Sequence, residues 1–288
     1  MKELDKEFQL LYDQLPEEDK KILDEANIKS FVDMFRTYVE RDFVFDGFAK
    51  LAKKKESERD CFADESSFVE ADEGEEITFF VGDNPVEYHL RMKLNNSPIP
   101  IWREVKVPSN ISLEFLAYVI NDAMGWQGYH MHQFVIDGTF YESTESLKQD
   151  ENFILPFSPT IKKFDSNTFA LSDIFKEKGK RIKYEYDFGD GWEHDVWLKG
   201  MRTYEEGEAL TLKVVKGVGM DPLEDCGGIR GLADIINIIS KKRRTADEKA
   251  KLEWFGIGKG FDINYFDREI VQDCLDDLWD IALYKSKK

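Results

Sequence analysis

The hydrophobic period of this chain changes once, across an acidic stretch, and that change limits the folds open to it. Through residues 3–53 apolar side chains recur at helical spacing. Phe8, Leu11, Tyr12 and Leu15 form one stripe, and Phe31, Val32, Phe35, Tyr38 and Val39 form another. From residue 85 the period is two: Val86, Tyr88, Leu90, Met92 and Leu94 alternate with Glu87, His89, Arg91 and Lys93, the pattern of a strand with one face buried. Between the two regimes, Asp60 to Asp83 holds nine acidic residues and no basic one, and reads as an exposed linker extended by its own repulsion. The expected organisation is a helical N-terminal region at 1–59, an acidic linker at 60–84 and a separate domain at 85–288.

Within that domain, Asn95-Asn96-Ser97-Pro98 is turn chemistry, and a second strand places Ile99, Ile101, Val105 and Val107 on one face. Arg103 interrupts that apolar face. A buried arginine needs a partner, and a carboxylate from the 187–195 region or from Glu224 or Asp225 is expected opposite it. Ser112 caps a helix that ends at Gly125. Strands are expected at 129–136, 182–188, 192–198 and 211–216, with Asp137-Gly138 as a turn. Residues 140–170 carry little pattern and read as a long excursion. Helices follow near 230–240 and 245–255, and a last one carries Phe266, Ile270, Cys274, Leu278 and Ala282 as its apolar stripe. The fold class is α+β: a mainly antiparallel sheet with inserted and appended helices, preceded by a helical N-terminal segment.

Composition narrows the function classes. A chain of 288 residues can bury a core without disulfides, and its three cysteines are too few and too scattered for a disulfide scaffold. No apolar run is long enough for a membrane span, and the charged start Met1-Lys2-Glu3-Leu4-Asp5 is not a signal peptide, so a cytoplasmic location is expected. Lys plus Arg is 40 against 58 Asp plus Glu, a net charge of −18 that repels phosphate backbones and disfavours non-specific duplex DNA as a partner. The basic run Lys241-Lys242-Arg243-Arg244 suits the negative end of a helix dipole.

Four segments carry a family resemblance. They are Ile99-Pro100-Ile101-Trp102-Arg103; Gly125-Trp126 with His130-Met131-His132-Gln133-Phe134; Tyr184-Glu185-Tyr186-Asp187-Phe188-Gly189-Asp190-Gly191-Trp192-Glu193-His194; and Pro222-Leu223-Glu224-Asp225-Cys226-Gly227-Gly228. In that order they resemble the plasmid pRi ORF-three-like family, over roughly residues 85–288. The resemblance implies an association with plasmids and insertion elements, where some members bear a "TnpR-like resolvase" label. No serine here sits beside an arginine cluster in the manner of a serine recombinase. Where many relatives have a cysteine before the last segment this chain has Asp221, and Leu223 stands for a second proline. The resemblance therefore implies no cysteine pair with Cys226.

Two constellations could carry chemistry. His130 and His132, two apart on an expected strand, would point to one face. They are either two hydrogen-bonded buried histidines or ligands of a divalent metal, with His194 as a third. Asp187 to His194 reads as a hairpin. A two-residue Asp190-Gly191 loop sets Asp187 across from His194. A three-residue Gly189–Gly191 loop aligns Phe188 with Trp192 and Tyr186 with His194, and gathers the apolar residues on one face.

Two functions follow. The first is a non-catalytic binding module whose sheet face or aromatic loops take a protein partner, or as the lesser alternative nucleic acid, with Arg103, Trp192, Glu224 and Asp225 as candidate binding residues. The alternative is a metal-dependent hydrolase with His130, His132 and His194 as ligands and Asp187 or Asp190 as base.

Overall fold

The computed structural model describes residues 78–81, 84–151 and 162–286. The chain divides into two units, Met1–Arg59 and Asp60–Lys288. The expected N-terminal helices and nearly all of the acidic linker lie outside the described residues.

Eight strands form one sheet: β1 (Val86–Leu94), β2 (Trp102–Pro108), β3 (His132–Ile136), β4 (Thr139–Glu142), β5 (Lys163–Asp165), β6 (Arg181–Tyr186), β7 (Trp192–Thr203) and β8 (Lys213–Val218). Their order is β5-β4-β3-β6-β7-β1-β2-β8, and only the β4–β5 pair is parallel. The helices are α1 (Leu113–Met124), α2 (Thr144–Glu151), α3 (Leu171–Ile174), α4 (Gly228–Ser240), α5 (Ala246–Trp254) and α6 (Arg268–Lys285), with a 3-10 turn at Ser166–Thr168. The α+β class and the mainly antiparallel sheet are thus present. No helix among the described residues is long and apolar enough to cross a membrane.

Alternation decides which face is covered. Tyr88, Leu90, Met92 and Leu94 are buried on β1, while Glu87, His89 and Arg91 are half-buried and Lys93 is exposed. Tyr184, Tyr186, Trp192, His194, Val196 and Leu198 continue the buried face through β6 and β7. α1 packs under it with Phe115, Leu116, Val119 and Ile120 fully buried, and α6 lies against α1 and β8. Ser112 starts α1 by accepting the Phe115 N–H at 2.9 Å on its Oγ, and Gly125 ends it in the left-handed region (φ 77°).

Several expectations shift. The two described ends of the segment 140–170 are ordered into the sheet: β4 and β5 pair, and the Asp137-Gly138 turn joins β3 to β4 with both residues at positive φ (50° and 79°), while residues 152–161 lie outside the described residues. The apolar stripe of α6 is Val271, Leu275, Leu278, Trp279 and Ala282, so Cys274 is half-buried and Phe266 precedes the helix. The basic run closes α4: Arg244 Nε donates to the Ile238 carbonyl at 2.8 Å, and Lys241 pairs with Glu248.

Candidate functional site

Three loops meet at one end of the sheet. Gly125–Met131 leads α1 into β3, Asp187–Gly191 is the tip between β6 and β7, and residues 219–227 lead β8 into α4. Trp126 ties them together. Its ring stacks on Tyr186 (centroids 4.8 Å apart, planes 18° apart) and lies 5.5 Å from Trp192, while its Nε1 donates to the Pro222 carbonyl at 2.8 Å.

The β6–β7 tip follows neither register read from the sequence. Tyr186 faces Trp192 and Tyr184 faces His194, leaving a five-residue loop. Asp187 is the cause. It sits in the left-handed region (φ 54°), its Oδ1 accepts the N–H groups of Gly189 (2.9 Å) and Asp190 (3.2 Å), and its N–H donates to the Met131 carbonyl at 2.9 Å. This local turn ends the ladder two residues early. The apolar face stays intact, but Phe188 leaves it for solvent. The loops then interlock: Asp190 Oδ2 accepts the Gly227 N–H at 3.1 Å, and a Cβ on Gly228 would lie 2.2 Å from the Asp190 backbone oxygen.

At this junction His130 Nε2 lies 3.0 Å from Asp225 Oδ1 and 3.6 Å from Asp187 Oδ2. One ligand atom from each of these three residues falls within 4.8 Å of the others. The Tyr129 hydroxyl donates to Asp225; Glu224 accepts from the Tyr186 hydroxyl and, at 3.0 Å, from the Gln127 N–H. Burial raises the Glu224 carboxyl above its ordinary range, with the Asp225 charge adding to it against those two donors and His130. Burial and then Glu224 push the Tyr186 hydroxyl far above the ordinary tyrosine value, so it remains a donor. The junction thus sets two carboxylates (Asp187 and Asp225) against one imidazole and holds two more (Asp190 and Glu224) on the same loops. Tyr129 (42% exposed), Met131 (47%) and Phe188 (46%) stand around them.

Other expected residues go elsewhere. His130, His132 and His194 do not converge. β3 begins at His132, so His130 lies in the loop before it and the two imidazoles share no strand face. His132 is buried 3.2 Å from Glu114, which also accepts from the Ser166 hydroxyl. Burial lowers the His132 imidazole, but Glu114 and then Glu142 outweigh it and raise it; burial raises Glu114, and His132 outweighs that.

His194 is wholly buried beside Trp126 (5.1 Å) and Tyr184 (5.8 Å), and neither ring nitrogen has a hydrogen-bond partner. Trp192 is fully buried and belongs to the core, not to a binding surface. Cys226 is buried, its thiol pushed up to about 12 by burial and the Asp190 charge, which leaves no reactive thiolate.

Arg103 is buried, as expected, but its carboxylate is Asp221, 2.8 Å from Nη2. Neither the hairpin nor Glu224 or Asp225 reaches it. Asp221 follows Met220, whose backbone N–H is held by the Ile263 carbonyl at 2.9 Å, and this brings it to the arginine before the loop turns away. Tyr129 and Tyr186 were not read as site residues. They immediately precede His130 and Asp187, and that adjacency was the available signal.

Residues 87–270 match the family model described as plasmid pRiA4b ORF-3-like protein. The chain belongs to this family. This chain is similar to an uncharacterized protein, y4hQ, of Sinorhizobium fredii, 28% identical over 169 residues that cover 58% of this chain and 79% of that protein. A crystal structure of a protein of unknown function, MM3350 from Methanosarcina mazei Go1, shares the fold with a TM-score of 0.53. It is 24% identical, over 65% of this chain and 98% of that one. These similar proteins bring a fold and no reaction.

Proposed function

We propose that this chain is a non-catalytic binding module whose Gly125–Met131, Asp187–Gly191 and 219–227 loops take a basic segment of a protein partner. One observation carries the reading: His130 lies within 3.6 Å of Asp187 and Asp225, Glu224 and Asp190 are held on the same loops, and three exposed apolar side chains stand beside them. Carboxylates at a surface attract Lys and Arg, and an apolar rim supplies the area that makes such contacts specific. All four resemblance segments supply this end of the molecule, with Arg103 holding Asp221 beneath it. The same resemblance supports a mobile-element-associated role, and the few scattered cysteines support a cytoplasmic setting. The experiment is fluorescence anisotropy with labelled ten-residue peptides of mixed Lys/Leu and of mixed Glu/Leu composition. The Lys/Leu peptide should bind in the ~10–100 μM range typical of a small surface, at least tenfold more weakly to the Asp187→Asn/Asp225→Asn double variant. Equal binding of both peptides, or no loss in the variant, would refute the reading.

The cluster of His130, Asp187 and Asp225 favours a second occupant of the same charge, a divalent cation held by one nitrogen and two oxygens. The hydrolase alternative loses the three-histidine set it needed. If a cation binds, Zn²⁺ at ~100 times its Kd stabilises the fold by ~2.7 kcal/mol. That corresponds to roughly 5–10 °C in melting temperature. The rise should vanish in His130→Ala; an equal rise in that variant would place the ion elsewhere.

A further inference from the structure

The face of the sheet opposite α1 is laid out unlike the rest of this acidic chain. A line of alternating cations and indoles crosses five strands. Lys216 on β8 lies 5.7 Å over the Trp102 ring on β2, and the Arg91 guanidinium on β1 lies 3.8 Å over the same ring from the other side strand. Arg91 also lies 5.5 Å from the Trp197 ring on β7, its register partner, and Arg181 on β6 lies 5.1 Å from that ring. Both indoles are half-buried, and Arg181 and Lys216 are exposed.

Beneath the Trp102 end of this line sits one buried anion. Glu104 is 1% exposed and lies within 2.9 Å of His89, 3.4 Å of Arg91, 3.3 Å of Lys199 and 3.8 Å of Lys216. Glu104, Glu193 and Asp195 against Arg91, Lys93, Arg181, Lys183, Lys199 and Lys216 leave this face cationic, in a chain whose net charge is −18. Glu104 fixes the cations in place and does not cancel them. A helix or loop packed here would have to strip water from that surplus charge.

We propose that this sheet face, uncovered among the described residues, binds single-stranded nucleic acid, with bases stacking on the Trp102–Arg91–Trp197 layer and phosphates meeting Lys216 and Arg181. Flat aromatic and guanidinium faces accept any unpaired base, and fixed cations at both ends of the layer track the backbone. Charge complementarity selects an anion, and the indole faces select one with rings over an acidic peptide, whose carboxylates make no use of them. Duplex DNA hides its base faces in the stack and offers this flat surface only phosphates, too few to offset the repulsion of the whole chain. The proposal stands on the sheet face alone and is independent of the three-loop site.

The test is fluorescence anisotropy of the full chain with a fluorescein-labelled twelve-residue oligodeoxythymidine. Saturable micromolar binding is expected at 50 mM NaCl. It should weaken roughly sevenfold at 200 mM, as two phosphate contacts on a single strand require. The Arg181→Glu/Lys216→Glu variant should lose at least tenfold. Both residues are exposed, and a melting temperature matching that of the parent shows that the fold is kept. Should that variant unfold, Lys216→Ala on the outermost strand is expected to lose about threefold or more. An absence of binding at 50 mM NaCl, unchanged affinity in the variants, or equal affinity for the same-length duplex or for a twelve-residue polyglutamate would overturn the proposal. The last outcome would mark the face as a site for acidic protein.

Discussion

Arg103→Met is expected to lower the melting temperature by ~6–20 °C. Removing one partner of a buried charge network costs ~3–5 kcal/mol, and a chain this size shifts by ~2–4 °C per kcal/mol. Much of that cost lies outside the ion pair. Arg103 Nε donates to the Ala123 carbonyl at the end of α1 (2.9 Å), Nη1 to Val218 at the end of β8 (2.8 Å), and the guanidinium covers the Phe266 ring at 4.2 Å. Methionine fills the volume and leaves those carbonyls buried without donors. Asp221, by contrast, is 41% exposed, so Asp221→Asn should cost only ~1 kcal/mol after solvent screening. Thermal unfolding of the two variants checks both figures. A shift under ~2 °C for Arg103→Met would show that the arginine is not the tie between α1, β8 and the 219–227 loop.

Acidification should expose the second buried group. His194 is pushed down to about 3, first by burial, which the backbone groups of Tyr184 and Trp192 offset in part, and further by the Arg103 charge. Its folded value is below its ordinary ~6.5, so the unfolded chain takes up a proton that the native chain refuses. The contribution is complete above pH 6.5 and is lost as pH falls toward 3. Between pH 6.5 and 5 it amounts to ~2 kcal/mol. The His132–Glu114 pair does not mask it. His132 is raised, so its contribution is intact below pH 6.5 and fades only at higher pH; Glu114 is lowered, so its contribution persists at pH 5. Urea unfolding at pH 7 and pH 5 should therefore show wild type losing ~2 kcal/mol more than His194→Phe. Parallel losses would mean that His194 is reached by protons in the native state.

The sheet was legible because its signal is local. Alternation along β1 and β7 fixes which side chains face the helices, whatever the tertiary context. The single charged residue on the apolar face of β2, Arg103, was legible for the same reason. Its partner was not, because Asp221 is 118 residues away and is delivered by a loop with no period of its own. The hairpin register failed at one residue. Sequence reasoning counted the turn from its glycines, whereas Asp187 accepts two backbone N–H groups and closes the turn earlier. That single choice sends Phe188 outward and places Asp187 against His130. The histidine cluster failed similarly. His-x-His predicts a shared face only inside a strand, and here the strand starts between the two. The site was thus half visible: the acids and His130 could be named, but not the two tyrosines that hold Asp225 and Glu224 in place.

Amide chemical-shift mapping of the full chain with the Lys/Leu peptide tests the central claim most directly. The three-loop site predicts that the shifts of Gln127 to Met131, Asp187 to Gly191 and Glu224 to Gly227 move together, and that those of Arg91, Trp102 and Trp197 on the open sheet face stay still. Movement confined to other residues, or none at peptide concentrations well above 100 μM, would contradict it.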